Sequence, residues 1–395
     1  MNKTSVILKD LVLVGGGHSH VAVLKRFGMR PLNGLRITLI TRDLHTPYSG
    51  MLPGFIAGHY HYDECHIDLR RLARFAGARV YHSEVTGLDL EAQEVQCANR
   101  PPVHFDILSI NIGSRPHTLD IRGAREWTLP VKPIDRFIDG WETLVARVLR
   151  ADEPFRIAVV GGGAGGVELA LATQHRLRAE RKRVHKGLEI LEYHLLTDTE
   201  CILPTHNPRV RGKFERVLSE REIAIHTRHA VRAVTAQGLE CANGKVLLAD
   251  AILWVTNAAA QPWLREAGLD TDEAGFVRVN RNLQSLSHEQ VFAVGDIASV
   301  VKHPRPKSGV FAVRQGPPLA ENLRRAARSQ SLRPFRPQTQ FLSLISTGDQ
   351  YAVASRAFWS LEGAWVWRVK DWIDRRFMAK YQDLPIMDDE VVEVD

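Results

Sequence analysis

The sequence predicts an α/β protein with two doubly wound parallel sheets, followed by a smaller C-terminal domain. Two segments predict the sheets: LVLVGGGHSH at 11–20 and RIAVVGGGAGGVELALA at 156–172. In each, a run of apolar and β-branched residues predicts a buried strand, and a glycine cluster follows it directly. A strand, a glycine loop and a helix in this order open a dinucleotide-binding unit, so we expect two such units about one domain's length apart.

The composition is that of an ordinary globular protein, since 44% of the 395 residues are hydrophobic and 25% are charged. The longest apolar runs are far shorter than the roughly 18 residues of a membrane-spanning helix, and Lys9 and Asp10 interrupt the apolar stretch near the N-terminus. We therefore expect a cytoplasmic protein. The net charge of +7 favours an anionic partner. The basic segment at 175–186, however, is typical of a solvated helix face, and we expect no nucleic-acid partner.

The cysteines argue against several kinds of site. No two of the four are spaced as a C-x-x-C pair, which disfavours disulfide staples, zinc knuckles and a redox-active dithiol. One cluster invites a metal interpretation. It contains His59, His61, Cys65 and His66. We expect instead that these residues surround the start of a helix near Asp68, and we predict no metal site.

The second glycine cluster is the stronger of the two signals. Gly161, Gly163 and Gly166 complete the pattern G-x-G-x-x-G between a predicted strand and a predicted helix. The glycines permit the tight turn, the approach of the backbone to a pyrophosphate and close packing of helix on sheet. Unpaired N–H groups at the start of the helix attract phosphate. This segment therefore predicts a dinucleotide site.

The first cluster has Gly15 and Gly17, but His20 stands where the third glycine is due. A side chain there requires that the helix stand slightly farther from the sheet, or that the imidazole point outward toward the cofactor side. Gly295 and Asp296 support a dinucleotide at this loop, because an aspartate after a predicted strand can accept hydrogen bonds from sugar hydroxyls. Two dinucleotide loops in one chain favour a flavin and a nicotinamide.

On these segments the chain resembles the flavoprotein pyridine nucleotide-disulfide oxidoreductase superfamily, whose fold is glutathione-reductase-like. FDILSINIGSRP and AILWVTNAAAQPWLREAGL are similar to the strands near its domain crossings. A narrower resemblance is to type II NADH:quinone oxidoreductases and to the flavoprotein half fused to selenide, water dikinase. It rests on GGGHSH, TPYSGMLPG, GVFAVRQGPPLAENL and WVWRVKDWIDRRFM. In that narrower group a histidine at the third glycine position is ordinary.

The resemblance implies an FAD-binding domain at 1–135 and 270–332, an NAD(P)H-binding domain at 136–269, and a C-terminal interface domain at 333–395. It also implies the site residues. FAD would be held by Gly15, Gly17, His18, Ser19, Arg42, Ser49, Gly50, Val85, Gly113, Gly295 and Asp296, and the nicotinamide cofactor by Gly161, Gly163 and Gly166. The residues expected to act in catalysis are Glu168, Lys307 and Gln315. Glu168 has a second interpretation, as a first-turn acid that complements the helix dipole.

Neither loop is followed by the acid that usually binds the adenosine ribose. Thr41 and Thr197 occupy the two expected positions, and a threonine binds a ribose hydroxyl without charge assistance. Asp198 would repel a 2′-phosphate, which favours NADH over NADPH. The alternative remains open that the second domain binds its cofactor weakly or not at all.

We therefore predict an FAD-dependent enzyme that takes hydride from NADH and passes electrons to a quinone-like acceptor, without a redox-active disulfide. Two alternatives stay open. A flavin reductase that serves selenium metabolism is suggested only by the fusion partner of the narrower family. An FAD-binding redox sensor with little turnover would be consistent with the missing ribose acids.

A helix is predicted from Trp365 onward, where apolar residues recur with the spacing of one helical face. The stripe consists of Trp365, Val366, Val369, Trp372, Ile373 and Phe377. The opposite side is predicted to carry Arg368, Lys370, Asp371, Asp374, Arg375 and Lys380. The stripe fits a membrane interface, which predicts salt-sensitive peripheral attachment to the inner membrane face. It equally fits packing on the protein's own core or on a second subunit of a homodimer.

Overall fold

The computed structural model describes residues 7–116, 121–256, 258–301, 303, 307–338 and 341–385. The first part of the chain contains short helices and strands. They are β1 (Lys9–Val14), α1 (His18–Met29), β2 (Leu35–Thr41), β3 (His45–Pro47), α2 (Leu52–Ile56), α3 (Tyr62–Cys65), β4 (His66–Asp68), α4 (Leu69–Phe75), β5 (Arg79–His82), β6 (Val85–Asp89), β7 (Glu94–Cys97), β8 (Arg100–His104), β9 (Ile107–Ile110) and β10 (Arg115–Pro116).

The middle part contains longer helices. Its elements are α5 (Ala124–Trp127), β11 (Leu129–Pro130), α6 (Ile134–Arg150), β12 (Phe155–Val160), α7 (Ala164–Arg183), β13 (Leu191–Leu196), α8 (Pro208–Glu220), β14 (Ile223–His226), β15 (Val231–Thr235), β16 (Gly238–Cys241), β17 (Val246–Leu248) and β18 (Ala251–Trp254).

The last part returns to the first sheet and then forms a small C-terminal unit. It contains β19 (Ala258–Ala259), α9 (Trp263–Glu266), β20 (Val277–Val279), β21 (Val291–Ala293), a 3-10 turn (Gly295–Ile297), β22 (Ala298–Val300), α10 (Gly309–Ala327), β23 (Ser343–Ser346), β24 (Ala352–Arg356), β25 (Trp359–Gly363) and α11 (Ala364–Gln382).

Two five-stranded parallel sheets form the body of the fold. The first has the strand order β21-β9-β1-β2-β5, and the second has the order β11-β18-β12-β13-β14. In each sheet the strand that leads into a glycine loop is central. Residues 11–14 and 157–160 are accordingly at most 5% exposed, and burying one such aliphatic side chain contributes roughly 1.5–3 kcal/mol. The predicted α/β fold with two doubly wound sheets is confirmed.

Helix α1 follows the first glycine loop and packs closely against α10. A Cβ atom built on Gly316 of α10 would lie 2.5 Å from the Cβ of Ala22 in α1, so the two backbones approach where α10 has no side chain. Leu24 and Phe27 of α1 share a buried cluster with Leu319 of α10. This packing holds the start of α10 beside the loop after β1.

His20, which replaces the third loop glycine, points into the protein. Its side chain is fully buried, with Nδ1 2.6 Å from the carbonyl oxygen of Gly15 and Nε2 2.8 Å from Oγ of Ser109 in β9. The expectation that the imidazole points outward is therefore wrong. Both ring nitrogens find polar partners inside, which removes the cost of burying them.

The C-terminal unit consists of the antiparallel sheet β23-β24-β25 and the helix α11. Of the predicted apolar stripe, Val366 is buried. Four of its members are exposed: Trp365 (52%), Val369 (41%), Trp372 (59%) and Ile373 (37%). Lys370 and Asp374, expected on the polar side, are instead buried together with Met378. That part of the prediction is wrong, because polar partners on the loop after β3 bind this face of the helix.

The chain beyond residue 385, which includes most of the acidic tail, lies outside the described residues. No helix in the described part of the chain is long and apolar enough to cross a bilayer.

The basic segment at 175–186 forms the end of α7 and the turn after it. Arg176 and Arg183 both pair with Glu180 on the helix surface, at 3.0 and 2.9 Å. Arg181 differs from the expected solvated face, because it is 2% exposed and donates hydrogen bonds to the carbonyl oxygens of Val148 and Gly187. Several of these basic side chains therefore have partners within the protein.

Candidate functional site

A cavity of about 600 Å³ lies at the carboxyl ends of β1 and β2, where open α/β sheets bind their ligands. Its walls also include the turn after β21, the start of α10 and the segment that enters the second sheet. Many residues predicted to hold FAD line it. They are Gly15, Gly17, His18, Arg42, Ser49, Val85, Gly113 and Asp296, and Lys307 joins them.

Asn111, at the end of β9, organises the glycine loop. Its Oδ1 accepts hydrogen bonds from the N–H groups of Ser19 and His20 at 3.1 and 3.3 Å, and its Nδ2 donates to the carbonyl oxygen of Val294 at 2.9 Å. A Cβ atom at Gly17 would lie 2.4 Å from Oδ1 of Asn111. The loop therefore requires glycine at this position. Sequence reasoning missed Asn111, although it lies in a segment that carried the resemblance.

His18 presents an unpartnered polar atom in the cavity wall. Its Nε2 is buried without a hydrogen-bond partner, and its ring lies edge-on to Tyr48 with centroids 5.5 Å apart. Burial lowers the pKa of His18 to about 4, against the opposing influence of Asp296. The imidazole is therefore neutral near pH 7. Buried polar atoms in folded proteins normally have a hydrogen-bond partner, so the Nε2 atom of His18 has unused capacity for a hydrogen bond next to the cavity.

Asp296 lies in the 3-10 turn at the end of the first sheet. Its Oδ2 accepts hydrogen bonds from Nζ of Lys132 at 2.7 Å and from Oγ of Ser114 at 3.3 Å. Gln315 positions this turn, since its Oε1 accepts the N–H of Gly295 at 2.6 Å. Gln315 and Gly295 line a second, smaller pocket of about 260 Å³ that shares Asp296 with the first.

Lys307 lies between the two pockets and lines both. Its ammonium group donates to the carbonyl oxygen of Ala298 at 2.7 Å and lies 3.9 Å from the ring centroid of Phe276. Burial lowers the pKa of Lys307, while Asp272 and Asp296 act in the opposite direction. The lysine amino group therefore lies at this end of the cavity, where the two aspartates favour its charged form and burial opposes it.

Three of the predicted FAD residues do not line the large cavity: Gly295 lines the smaller pocket, and Ser19 and Gly50 line neither. The hydroxyl of Ser19 is buried and donates to the carbonyl oxygen of Ala312 at 2.5 Å, so it ties the loop to α10. The carbonyl oxygen of Gly50 accepts a hydrogen bond from Lys370 at 2.6 Å. Ser19 and Gly50 therefore stabilise the segments next to the cavity without lining it themselves.

The second glycine loop ends at the N-terminus of α7, as its pattern predicts. A Cβ atom at Gly166 would lie 1.8 Å from the carbonyl oxygen of Gly161, so these two positions require glycine for packing. A Cβ atom at Gly163 would meet nothing within 4 Å, which leaves open space in front of the loop. Thr197, at the expected ribose position, is buried and its hydroxyl lies 2.7 Å from that of Thr199.

Glu168 lies in the second turn of α7, because the helix begins at Ala164. The interpretation as a first-turn acid is therefore wrong. Its side chain reaches the C-terminal unit, where Oε1 accepts the N–H of Ser346 at 2.7 Å. Burial raises the pKa of Glu168. The charge of Lys370 acts in the opposite direction, and that of Asp374 adds to the rise.

The cysteine and histidine cluster near α4 does not form a metal centre. Among the described residues, no group of three or more histidine, cysteine, aspartate or glutamate side chains could hold a metal ion. Asp68 caps α4 through a 2.8 Å hydrogen bond from the N–H of Arg70, so a helix does begin there as predicted. All four cysteines are free, and burial raises the pKa of the Cys65 thiol to about 12.

Comparison with known proteins agrees with this geometry. NADH dehydrogenase-like protein YutJ of Bacillus subtilis is 25% identical over 345 residues, which cover 86% of this chain and 90% of the relative. Demethylphylloquinone reductase NdbB of Synechocystis is 27% identical over 230 residues, 56% of this chain and 54% of that protein. The structure of NDH2 from Plasmodium falciparum in complex with NADH matches with a TM-score of 0.78 at 14% identity, over 96% of this chain and 99% of that one.

The sequence pattern of the pyridine nucleotide-disulphide oxidoreductase family matches residues 9–316, which include both glycine loops and the turn at Asp296. The family pairs a flavin with a pyridine nucleotide, which agrees with the two dinucleotide loops in the chain. The chain belongs to the pyridine nucleotide-disulphide oxidoreductase family and is an oxidoreductase.

Proposed function

We propose that this oxidoreductase transfers hydride from NADH to FAD and passes the electrons to a quinone-like acceptor. The observation that carries the proposal is a buried charged cluster formed by Glu168, Lys370 and Asp374. Glu168 lies in the helix that follows the second glycine loop, and Lys370 reaches the carbonyl oxygen of Gly50 beside the first cavity. The relatives support the same reaction, since their names include an NADH dehydrogenase-like protein and a demethylphylloquinone reductase.

FAD would occupy the 600 Å³ cavity of an FAD-binding domain at 1–135 and 270–332. The loop at Gly15 and Gly17 leaves room for a pyrophosphate at the start of α1. His18 would supply a neutral nitrogen for one more hydrogen bond, and Asp296 would accept from the sugar-like hydroxyls. When bound, FAD supplies the hydride acceptor and the electron carrier.

NADH would bind at the second loop, in a domain that spans 136–269. The open space at Gly163 allows the pyrophosphate to approach the backbone. Asp198 is exposed beside the expected ribose position, so a 2′-phosphate would meet a carboxylate. This arrangement favours NADH over NADPH.

The charged cluster would supply a proton on the acceptor side. Reduction of a quinone to a quinol by NADH takes up one proton in addition to the hydride, and a buried acid beside the site could deliver that proton. The carboxyl groups of Glu168 and Asp374 share this interior with one ammonium group. Ionising both carboxyl groups so close together costs free energy, so one of them is favoured to keep its proton. Glu168, whose pKa is raised by burial, is the carboxyl group that we expect to hold the proton.

The exposed stripe of α11 would place the enzyme at a membrane surface. Trp365 and Trp372 are more than half exposed, and Arg368 and Arg376 lie among the exposed residues of the same helix. Tryptophan rings at headgroup level and cations near anionic lipid are the features of an interfacial helix. Peripheral attachment would give access to a quinone dissolved in the bilayer.

Anaerobic stopped-flow spectroscopy of the purified protein tests the reaction. We expect a bound flavin whose absorbance bleaches rapidly with NADH and slowly with NADPH, and which a water-soluble naphthoquinone then restores. Bleaching by NADH without reoxidation by the quinone would overturn the acceptor assignment. Flavin that neither nucleotide bleaches would favour the low-turnover redox sensor, and a protein that cannot retain FAD would end the proposal.

A further inference from the structure

Lys132 connects the two parallel sheets across the wall of the large cavity. Its ammonium group donates to Oδ2 of Asp296 at 2.7 Å and to Oγ of Ser114 at 3.1 Å. Asp296 is 14% exposed, whereas Lys132 is 43% exposed. Because the carboxylate is the more buried partner, it is the group that loses more if its counter-charge is removed.

The backbones on the two sides of this ion pair belong to different sheets. Lys132 follows β11 of the second sheet, where the N–H of Val131 donates to the carbonyl oxygen of Trp254 at 3.1 Å. Asp296 lies in the 3-10 turn after β21 of the first sheet. The side chains of Lys132 and Asp296 therefore tie the second sheet to the turn that faces the cavity.

The other cations described in the cavity wall have different partners. Arg42 pairs with Asp43 at 2.7 Å, and Lys307 donates to the carbonyl oxygen of Ala298 at 2.7 Å. Lys132 forms a close ion pair with Asp296, whereas Lys307 acts on the same carboxylate from farther away. A dinucleotide carries two phosphate charges, and a carboxylate without a counter-cation in the same cavity would repel them.

We propose that Lys132 is an electrostatic latch that couples FAD binding to the position of the nicotinamide domain. Lys132 stays on Asp296 when FAD is bound and cancels its charge next to the phosphates, while the carboxylate keeps free acceptor capacity for hydroxyl groups. The bound cofactor in turn stabilises the ion pair between Lys132 and Asp296, and this contact keeps β11 and the second sheet against the flavin. This inference rests on the proposal that FAD occupies the cavity.

The first test is the rate at which FAD leaves the holoprotein, followed by the rise of free flavin fluorescence after dilution. Lys132→Met is expected to release FAD about 10- to 100-fold faster than wild type, since a hydrogen bond to a charged group is lost. Lys132→Arg keeps the charge and should stay within a few-fold of wild type. Lys186→Met is the matched control, because Lys186 pairs with the exposed Asp152 at 2.7 Å away from the cavity.

A double-mutant cycle tests whether Lys132 acts through Asp296. Asp296→Asn should also release FAD faster, and adding Lys132→Met to it should cause little further change. Native-state hydrogen exchange tests the coupling between domains. In flavin-saturated Lys132→Met, the amide of Val131 should exchange several-fold faster than in flavin-saturated wild type.

Three results would overturn the latch: FAD release from Lys132→Met at the wild-type rate, effects that multiply in the double variant, or unchanged exchange at Val131. These outcomes are distinct from failure of the proposed function. If the wild-type protein holds FAD and oxidises NADH, and Lys132→Met releases FAD at the wild-type rate, then the latch alone is refuted. A wild-type protein that binds no FAD refutes the proposed function itself.

Discussion

Lys370 and Asp374 form a 2.6 Å ion pair inside the protein, although both were expected on the polar side of α11. Their side chains are 9% and 6% exposed, and the ammonium group also reaches the carbonyl oxygen of Gly50 at 2.6 Å. An aromatic contact lies nearby, where Tyr48 stacks on Phe377 with centroids 4.3 Å apart. Charged and aromatic contacts therefore dock α11 on the loop beside the cavity, and most of the apolar stripe is left exposed.

Replacing Lys370 with methionine should lower the free energy of unfolding by about 3 kcal/mol, because it leaves a buried carboxylate without its counter-charge. Urea unfolding of the holoprotein measures the loss. Arg228→Met is the matched control: Arg228 and its partner Glu200 are 73% and 81% exposed, and such surface pairs contribute less than about 1 kcal/mol. Equal losses in the two variants would contradict a buried role for the pair.

Glu168→Gln should slow reoxidation of the reduced flavin by a quinone about tenfold or more, because the amide cannot supply a proton. Reduction of the flavin by NADH should change much less, and stopped-flow mixing separates the two half-reactions. Glu220→Gln, at a site 59% exposed on α8, serves as control. If Glu168→Gln slows only the reduction by NADH, the residue acts on the nicotinamide side.

The raised pKa of Glu168 also predicts how stability depends on pH. Burial is the main cause of the rise, so the folded chain keeps a proton that the unfolded chain releases above its ordinary carboxyl pKa. Stability should therefore fall as the pH increases from that ordinary value through the raised one. In urea unfolding across this range, the free energy of unfolding of Glu168→Gln should fall less steeply with pH than that of the wild type. An unchanged slope would mean that Glu168 is ionised in the folded protein.

Gly163→Val should abolish reduction by NADH while the protein keeps its flavin. The new side chain enters open space, so the fold is expected to tolerate it, but it occupies the path of the pyrophosphate. Anaerobic bleaching and the flavin content of the purified variant are the measurements. Gly166→Val differs, because a Cβ there lies 1.8 Å from the carbonyl oxygen of Gly161 and should impair folding. Normal bleaching of Gly163→Val would place NADH elsewhere.

His20→Gly, which restores the fingerprint glycine, should destabilise the protein by about 2 kcal/mol or more. It removes two buried hydrogen bonds and places a glycine within a helix. Burial lowers the pKa of His20 to about 4, so its contribution is present above the ordinary value of 6.5 and is lost as the pH falls toward 4. His104→Gly, at an exposed position, should lose much less stability. A more stable His20→Gly would refute the inward role of the ring.

The double variant Trp365→Ser/Trp372→Ser should lose binding to anionic phospholipid vesicles. Wild-type protein is expected to sediment with the vesicles at low salt and to be released at high salt, because the contact combines apolar rings with basic residues. Leu248→Ser, at a site 50% exposed on β17, is the control. Wild-type protein that stays in the supernatant at low salt would favour a second subunit as the partner of the stripe.

The period of the apolar residues and the chemistry of the turns were enough to predict the two parallel sheets and the glycine loops. These features depend on near neighbours in the chain: a buried run such as 157–160 followed by Gly161 already predicts a strand and the turn after it. The resemblance then identified wall residues as distant as Gly17 and Asp296, which line one cavity.

The sequence did not indicate which residues form the contacts between distant segments of the fold. Asn111 contacts the glycine loop from 92 residues away, and Lys132 reaches Asp296 across 164 residues. Neither an isolated asparagine nor an isolated lysine has a local pattern that indicates its partner.

The sequence by itself therefore determined the strands, the loops and the amphipathic spacing of α11. Only the tertiary structure decided which face of that helix is buried, because a helical period separates two faces without saying what each one contacts. Lys370 faces inward because the carbonyl oxygen of Gly50, 320 residues away, and Asp374 bind its ammonium group. His20 faces inward for the same reason, since Ser109 and Gly15 satisfy its ring. In both cases a polar group is buried because distant partners compensate its desolvation.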